Sequence, residues 1–254
     1  MDQSSEEKIM EIVNNSYSKV AKKLLTDTSN CCEPSVSCCS PEVEGSTVQE
    51  LSIISVNNIP TLGCNTNLIE VAKISTGEKV LDLGSGPGKD TFAASILVGE
   101  KGSVIGVDFS DDMLTLANKY RDDNKITNVE FRKGNLTELP VENNSIDVII
   151  TNCVINLVPD KTKVFEEAFR VLKSGGRLID SDISIINPLK ADLINNEQLY
   201  CACIGGAVTE DDYVRNMKEV GFENIEVRRQ YTTSFTIGEE AVPYASSYFI
   251  AFKP

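Results

Sequence analysis

The chain has 254 residues, 41% of them hydrophobic and 24% charged, with eight cysteines, no histidine and no tryptophan. Its length and apolar content suffice for a substantial core in one large or one and a half ordinary domains. Without histidine there is no Ser-His-Asp or Cys-His hydrolase, no His-ligated zinc or haem and no imidazole acid-base catalyst. The net charge of −14, from 38 acidic against 24 basic residues, argues against a partner that is a phosphate backbone and suits small neutral or cationic ligands.

The N-terminus has no apolar core of a secretory signal, and no stretch approaches the ~18 apolar residues of a membrane span. A cytoplasmic protein is expected, in which cysteines serve as reactive or ligating thiols. Residues 5–25 read as an amphipathic helix, capped by Ser4 or Ser5, with Ile9, Val13, Val20 and Leu24 at helical spacing. From Thr26 to Gly45 the composition turns to Ser, Pro, Thr and Cys without periodicity, which reads as a loop. Helical patches follow at 47–55 and 66–74. Strand-length apolar runs then occur at Val80–Leu83, Val104–Val107, Val129–Phe131, Ile146–Ile150 and Arg177–Ile179. Helix-like segments at 89–98, 110–121 and 160–173 lie among them, the second capped by Ser110. A helix at 210–220, opened by Thr209 and ended by Gly221, precedes strands near 223–230 and 246–252. Alternation of this kind implies a parallel sheet covered on both faces.

The first strand–helix junction reads Asp82-Leu-Gly84-Ser85-Gly86-Pro-Gly88, with Lys89 where a dinucleotide fingerprint wants its third glycine. This pattern resembles motif I of the class I S-adenosylmethionine-dependent methyltransferases, whose cofactor presents a sulfonium and an amino group and no phosphate. The second strand ends at Asp108, where a carboxylate can accept both ribose hydroxyls. Asn135 and Leu136 follow the third strand, where such enzymes contact adenine. The resemblance implies cofactor contacts from Asp82, Gly84, Ser85, Gly86, Gly88, Asp108, Phe109, Asn135, Leu136 and Asn152. It also implies a Rossmann-like α/β fold, doubly wound on a mostly parallel seven-stranded sheet, with an N-terminal helical extension.

The string Asn152-Cys153-Val-Ile-Asn-Leu-Val-Pro-Asp-Lys161 is long and specific. With Leu62-Gly63-Cys64, Cys203-Ile-Gly-Gly-Ala207, Tyr17-Ser-Lys-Val20 and the paired Cys31–Cys32 and Cys38–Cys39, it resembles the arsenite methyltransferase family in its microbial branch, over about residues 10–230. Soft thiolates suit trivalent arsenic, and the resemblance implies that Cys64, Cys153 and Cys203 hold As(III). It also implies that Cys32 with Cys64 passes oxidising equivalents to a thiol reductant, glutathione or thioredoxin, as co-substrate. Read alone, Cys153 and Cys203 also suit small buried apolar positions, Asp108 a turn cap, and the Cys31–Cys39 cluster a zinc or copper site or loop thiols.

The pattern lapses in places. Asn65 replaces a glycine, Pro60-Thr61 an aromatic pair, and Cys201-Ala202-Cys203 stands where the family has Gly-Glu-Cys; Val208-Thr209-Glu210 replaces aromatics. These changes bear on substrate handling.

The expected organisation is an extension over 1–74, with its cysteine-rich loop at 26–45, and a methyltransferase domain over 75–254. The expected reaction is methylation of arsenite or methylarsenite in arsenic detoxification. A monomer is favoured, with no nucleic-acid or membrane partner and a thioredoxin-like reductant as the one protein partner. The rivals are a small-molecule C-, N- or O-methyltransferase of the quinone-biosynthesis type and a non-catalytic metalloid-binding protein.

Overall fold

A computed structural model describes residues 3–26, 59, 67–194, 196–201, 203–237 and 240–254. The chain opens with α1 (Gln3–Thr26) and α2 (Leu68–Ala72). Alternation then begins: β1 (Lys79–Leu83), α3 (Lys89–Val98), β2 (Ser103–Asp108), α4 (Asp111–Asp123), β3 (Val129–Lys133) and β4 (Ile146–Asn152). A 3₁₀ turn at Ile155–Leu157 leads to α5 (Lys161–Val171) and the long β5 (Leu172–Ile185). Two short helices, α6 (Ala191–Ile194) and α7 (Glu197–Cys201), precede α8 (Glu210–Val220), β6 (Glu223–Ile237) and β7 (Glu240–Phe252).

The seven strands form one sheet in the order β3-β2-β1-β4-β5-β7-β6. β1 to β5 run parallel, and β7 is antiparallel to both β5 and β6. The central strands are short continuous apolar runs because both faces are covered. One face packs Leu81, Ile149 and Leu178 against Phe165 of α5 and Tyr213 of α8. The other packs Val80, Ile150 and Ile179 against Leu68 of α2 and Phe92 of α3. A third cluster sits over the carboxyl edge and joins Val13 of α1 to Cys153, Leu157, Tyr200 and Cys203.

Helix ends follow the capping chemistry of the sequence. Ser110 caps α4, its hydroxyl accepting the Met113 N–H, with Asp111 and Asp112 in the first turn. Thr209 caps α8 and accepts the Asp212 N–H, and Gly221 closes that helix in a left-handed conformation (φ 111°). α1 already includes Gln3, so Ser4 and Ser5 lie within the helix rather than ahead of it. The expected helix at 66–74 contracts to Leu68–Ala72, where Lys73 turns left-handed (φ 48°). β5 outruns the expected Arg177–Ile179 in both directions because pairing with β4 and β7 overrides the polar run Asp180-Ser-Asp-Ile-Ser184. β6 and β7 are likewise longer than 223–230 and 246–252, since each completes the other's ladder.

The extension is joined to the sheet: α2 buries Leu68 and Ala72 in the core, and Lys22 of α1 pairs with Asp112 of α4 at 3.4 Å. The helical patch at 47–55 and the 26–45 loop, apart from Thr26, lie outside the described residues. Among the described residues no helix is long and apolar enough to cross a membrane.

Candidate active site

β1 and β4 are neighbours at the centre of the sheet, where the chain's direction of winding reverses, and open α/β sheets bind ligands at the carboxyl ends of such strands. A groove opens there, lined by the loop after β1, Asp108 and Phe109 after β2, and Asn152 to Val154 after β4. It continues into a second hollow that adds Gly134, Asn135 and Leu136 after β3. Both share Gly84, Asp108, Phe109, Val154 and Leu157, so they form one groove. α1 closes it from above with Tyr17 over the first part and Val13 over the second.

Gly84 has φ 68°, and a Cβ there would collide with Val154, so the loop can pass beneath the groove only as glycine. Gly88 does not line the groove. It turns the chain into α3, and a Cβ on it would meet Phe92 and Phe131. Of the ten expected cofactor residues, the other nine line the groove.

Three carboxylates converge on the groove. Asp82, 2% exposed, accepts the Thr91 hydroxyl at 2.6 Å. Burial, followed by the charges of Asp90 and Asp108, pushes its carboxyl well above the usual range. Asp90 accepts Asn152 Nδ2 at 3.0 Å and is also raised by burial. Asp108 accepts the N–H groups of Gly86 and Ser110, each at 2.9 Å, yet burial still raises it. Among the described lining residues, Lys89 is the single cation against these three. The groove is therefore short of positive charge, and a sulfonium and an ammonium supply it. Ser85 Oγ, buried in the lining, has no hydrogen-bond partner among the described residues. Both features fit S-adenosylmethionine.

The cysteines stand at the same edge. Cys153 follows β4, lines the groove and is 3% exposed. Cys203 arrives from a turn after α7, is also 3% exposed, and its thiol donates to the Cys153 carbonyl at 3.0 Å. Both have left-handed backbones, φ 56° and 59°, a conformation that non-glycine residues rarely adopt outside constrained sites. The Gly205-Gly206 segment makes this approach possible, because a Cβ on Gly206 would collide with the Asn156 carbonyl. Asn156 is held in turn: its Nδ2 donates to Asp182 (2.8 Å) and to the Ile183 carbonyl (2.7 Å), and its Oδ1 accepts Tyr213 (2.8 Å).

Cys153 is disulfide-bonded, and neither Cys201 nor Cys203 is its partner. Cys32 and Cys64, with Cys31, Cys38 and Cys39, lie outside the described residues. Among the described residues no three ligating side chains form a metal cluster.

Reading the sequence alone assigned no role to Asp90, Asn156 or Asp182, or to Tyr17 in the groove. Asp90 was legible as an acid in the first turn of the helix behind the glycine loop. Asn156 and Asp182 belong to a contact between β5 and the turn after β4 that has no local signature.

The strand order, the glycine turn after β1 and the carboxylate at the end of β2 define a class I S-adenosylmethionine-dependent methyltransferase, and residues 74–221 match the family model "Methyltransferase domain". The chain is 40% identical over 196 residues, 75% of its length, to an arsenite methyltransferase of Halobacterium salinarum, of which it covers 50%. It also resembles the crystal structure of an arsenic(III) S-adenosylmethionine methyltransferase from Chlamydomonas reinhardtii, with TM-score 0.66, 35% identity and coverage of 79% of this chain and 70% of that one. The chain belongs to the arsenite methyltransferase family. It is also 43% identical to a demethylmenaquinone methyltransferase of Lactococcus lactis, but over only 104 residues, 41% of each chain. The chain thus spans about half the length, or less, of these two curated relatives.

Proposed function

We propose that this chain transfers a methyl group from S-adenosylmethionine to trivalent arsenic, arsenite or methylarsenite, held by the thiolates of Cys153 and Cys203. Cys64 or a small thiol completes the three-coordinate pyramid. The observation that carries this reading is the meeting of Cys203 with Cys153 at the rim of the cofactor groove. A quinone-type enzyme has no use for two strained, buried cysteines there.

When bound, S-adenosylmethionine supplies an electrophilic methyl group on its sulfonium. Asp108 is placed to accept ribose hydroxyls, Asp82 and Asp90 to balance positive charge, and Asn135 and Leu136 to frame the base. The two thiolates fix arsenic so that its lone pair faces the groove, and alignment of this kind is worth up to ~7–11 kcal/mol. That nucleophile carries no proton. No general base is required, which agrees with a chain that has no histidine.

A disulfide at Cys153 blocks its thiolate, so turnover requires two-electron reduction by an external thiol, glutathione or a thioredoxin-like protein. We place this chemistry in the cytoplasm, where such reductants are maintained.

The test is arsenite binding to the fully reduced protein, followed by turnover with S-adenosylmethionine. One arsenic is expected per chain, and Cys153→Ser and Cys203→Ser each lose binding and at least 100-fold of methylation while retaining S-adenosylhomocysteine. Binding without methylation would indicate a sequestering protein. No binding at all would indicate a methyltransferase with another substrate.

A further inference from the structure

We propose that Tyr213 and Asp182 are positioning residues for the arsenic site: acting through Asn156, they fix the separation of the Cys153 and Cys203 thiols before any ligand arrives. The proposal rests on the reading in which those two cysteines hold arsenic, and it gives neither Tyr213 nor Asp182 a part in methyl transfer itself.

The two cysteines reach the edge of the sheet on separate turns, and one backbone contact ties the turns together. Asn156 lies three positions after Cys153, and Gly206 lies three after Cys203. A Cβ on Gly206 would collide with the Asn156 carbonyl oxygen, so the two backbones meet at an approach that only glycine allows. Where Asn156 sits therefore decides where Cys203 sits relative to Cys153.

Every polar atom of the Asn156 side chain has a partner. Its Nδ2 faces two acceptors, Asp182 Oδ1 at 2.8 Å and the Ile183 carbonyl at 2.7 Å. Its Oδ1 then needs a donor, and the Tyr213 hydroxyl supplies one at 2.8 Å. Reversing the amide would set its oxygen against two acceptors, so a single orientation survives. Asp182 frames this arrangement. Its Oδ1 also accepts the Ile183 N–H at 2.8 Å, and its Oδ2 accepts the Asn156 N–H and the Tyr213 hydroxyl, each at 3.2 Å. Four contacts use the full accepting capacity of a carboxylate. Asn156, Asp182 and Tyr213 are all 0% exposed, so a partner lost here is not replaced by bulk water. The Tyr213 ring is fixed independently of its hydroxyl, stacked on Phe249 with centroids 4.4 Å apart and set edge-on to Phe165.

Spacing matters because two thiols on one arsenic form a chelate. Once the first As–S bond exists the second is intramolecular, and its advantage is lost when geometry forbids both at once. A group that sets the spacing thus strengthens capture by the pair and leaves the reactivity of each thiol alone unchanged.

The test uses the full chain, fully reduced, with phenylarsine oxide, which exchanges its oxygen for two thiol sulfurs with release of water and needs no methyl donor. Occupancy is read by peptide mass spectrometry as protection of Cys153 and Cys203 from later alkylation, which separates this pair from the other cysteines. Tyr213→Phe deletes one oxygen and keeps the ring. Joint protection of the pair is expected to weaken at least tenfold in this variant, while alkylation of each thiol by iodoacetamide, without arsenical, stays within twofold of the parent rate. Asp182→Asn, which sets an amide against the donors of Asn156 and Ile183, should repeat the loss. Val171→Ala, a core truncation at the far end of α5 where β5 begins, should lower the melting temperature and leave protection unchanged. Protection within twofold of the parent in Tyr213→Phe overturns the proposal. An equal loss in Val171→Ala, or alkylation speeded in Tyr213→Phe, also overturns it, since the effect is then one of general stability. No protection of the pair in the parent overturns this proposal and the arsenic reading together. Protection that depends on Tyr213, in a parent that never methylates arsenite, overturns the methylation reading alone.

Discussion

Cys153 and Cys203 are 50 positions apart in the chain, yet each adopts a left-handed backbone of order 1–3 kcal/mol above an ordinary conformation. Glycine has no such cost. Cys203→Gly is therefore expected to change stability by no more than about 1 kcal/mol in urea denaturation, because relief of strain offsets the lost sulfur contacts, while arsenite binding disappears. At Gly206 the opposite holds: Gly206→Ala forces Asn156 from its bonds with Asp182 and Tyr213, and a loss of about 2 kcal/mol or more should accompany weakened arsenite binding. The groove carboxylates give a pH test. Asp82, Asp90 and Asp108 are all raised by burial, so on acidification they take up protons above the ordinary carboxylate range and lose their attraction for a cation. Affinity for S-adenosylmethionine should then fall more steeply than affinity for uncharged-sulfur S-adenosylhomocysteine, by calorimetry at a series of pH values. Parallel curves for the two would remove these carboxylates from cation recognition.

Among the elements, α1 matters most to the site, since Tyr17 and Val13 close the groove that the sheet edge opens. Tyr17→Ala is expected to weaken cofactor binding several-fold and speed its dissociation, with melting little changed. Elements were legible in the sequence where a single rule acted. The parallel strands β1 to β4 announced themselves as short apolar runs, and α8 came out residue for residue because Thr209 and Gly221 are unambiguous caps. β5 was legible only in part, because Asp180, Ser181, Asp182 and Ser184 look like a loop and are made strand by pairing on both sides. α6 and α7 are too short to show periodicity. The groove was legible from the glycine turn and Asp108. The contact between Cys203 and Cys153 was not, since it depends on a turn docking against Asn156 from far along the chain.

At the scale of the whole molecule, a polar cluster is buried beneath the cysteine edge. Lys161 is held to about 8 by burial, against the opposing pull of Asp182, Asp180, Cys203 and Asp160. Burial lifts Asp182 to about 6 and holds Asp180 well above the usual carboxylate range, the latter with neither oxygen hydrogen-bonded among the described residues. The signs follow from proton counts. Between pH about 8 and 10.5 the unfolded chain holds the Lys161 proton and the folded chain does not, so this group raises stability with pH by about 3 kcal/mol in total. Between 3.8 and about 6 the folded chain holds the Asp182 proton and the unfolded chain does not, so that group lowers stability as pH rises. Denaturation of Lys161→Met should show the alkaline rise removed; an unchanged rise would mean that other groups produce it.

The thiolate-held, proton-free nucleophile is tested most directly by a single turnover of fully reduced protein with methyl-labelled S-adenosylmethionine and one equivalent of arsenite. The expected result is one equivalent of labelled methylarsenical alongside one of S-adenosylhomocysteine, lost together in Cys153→Ser. Label transferred to arsenic undiminished in that variant, or no label on arsenic in the parent, would contradict it.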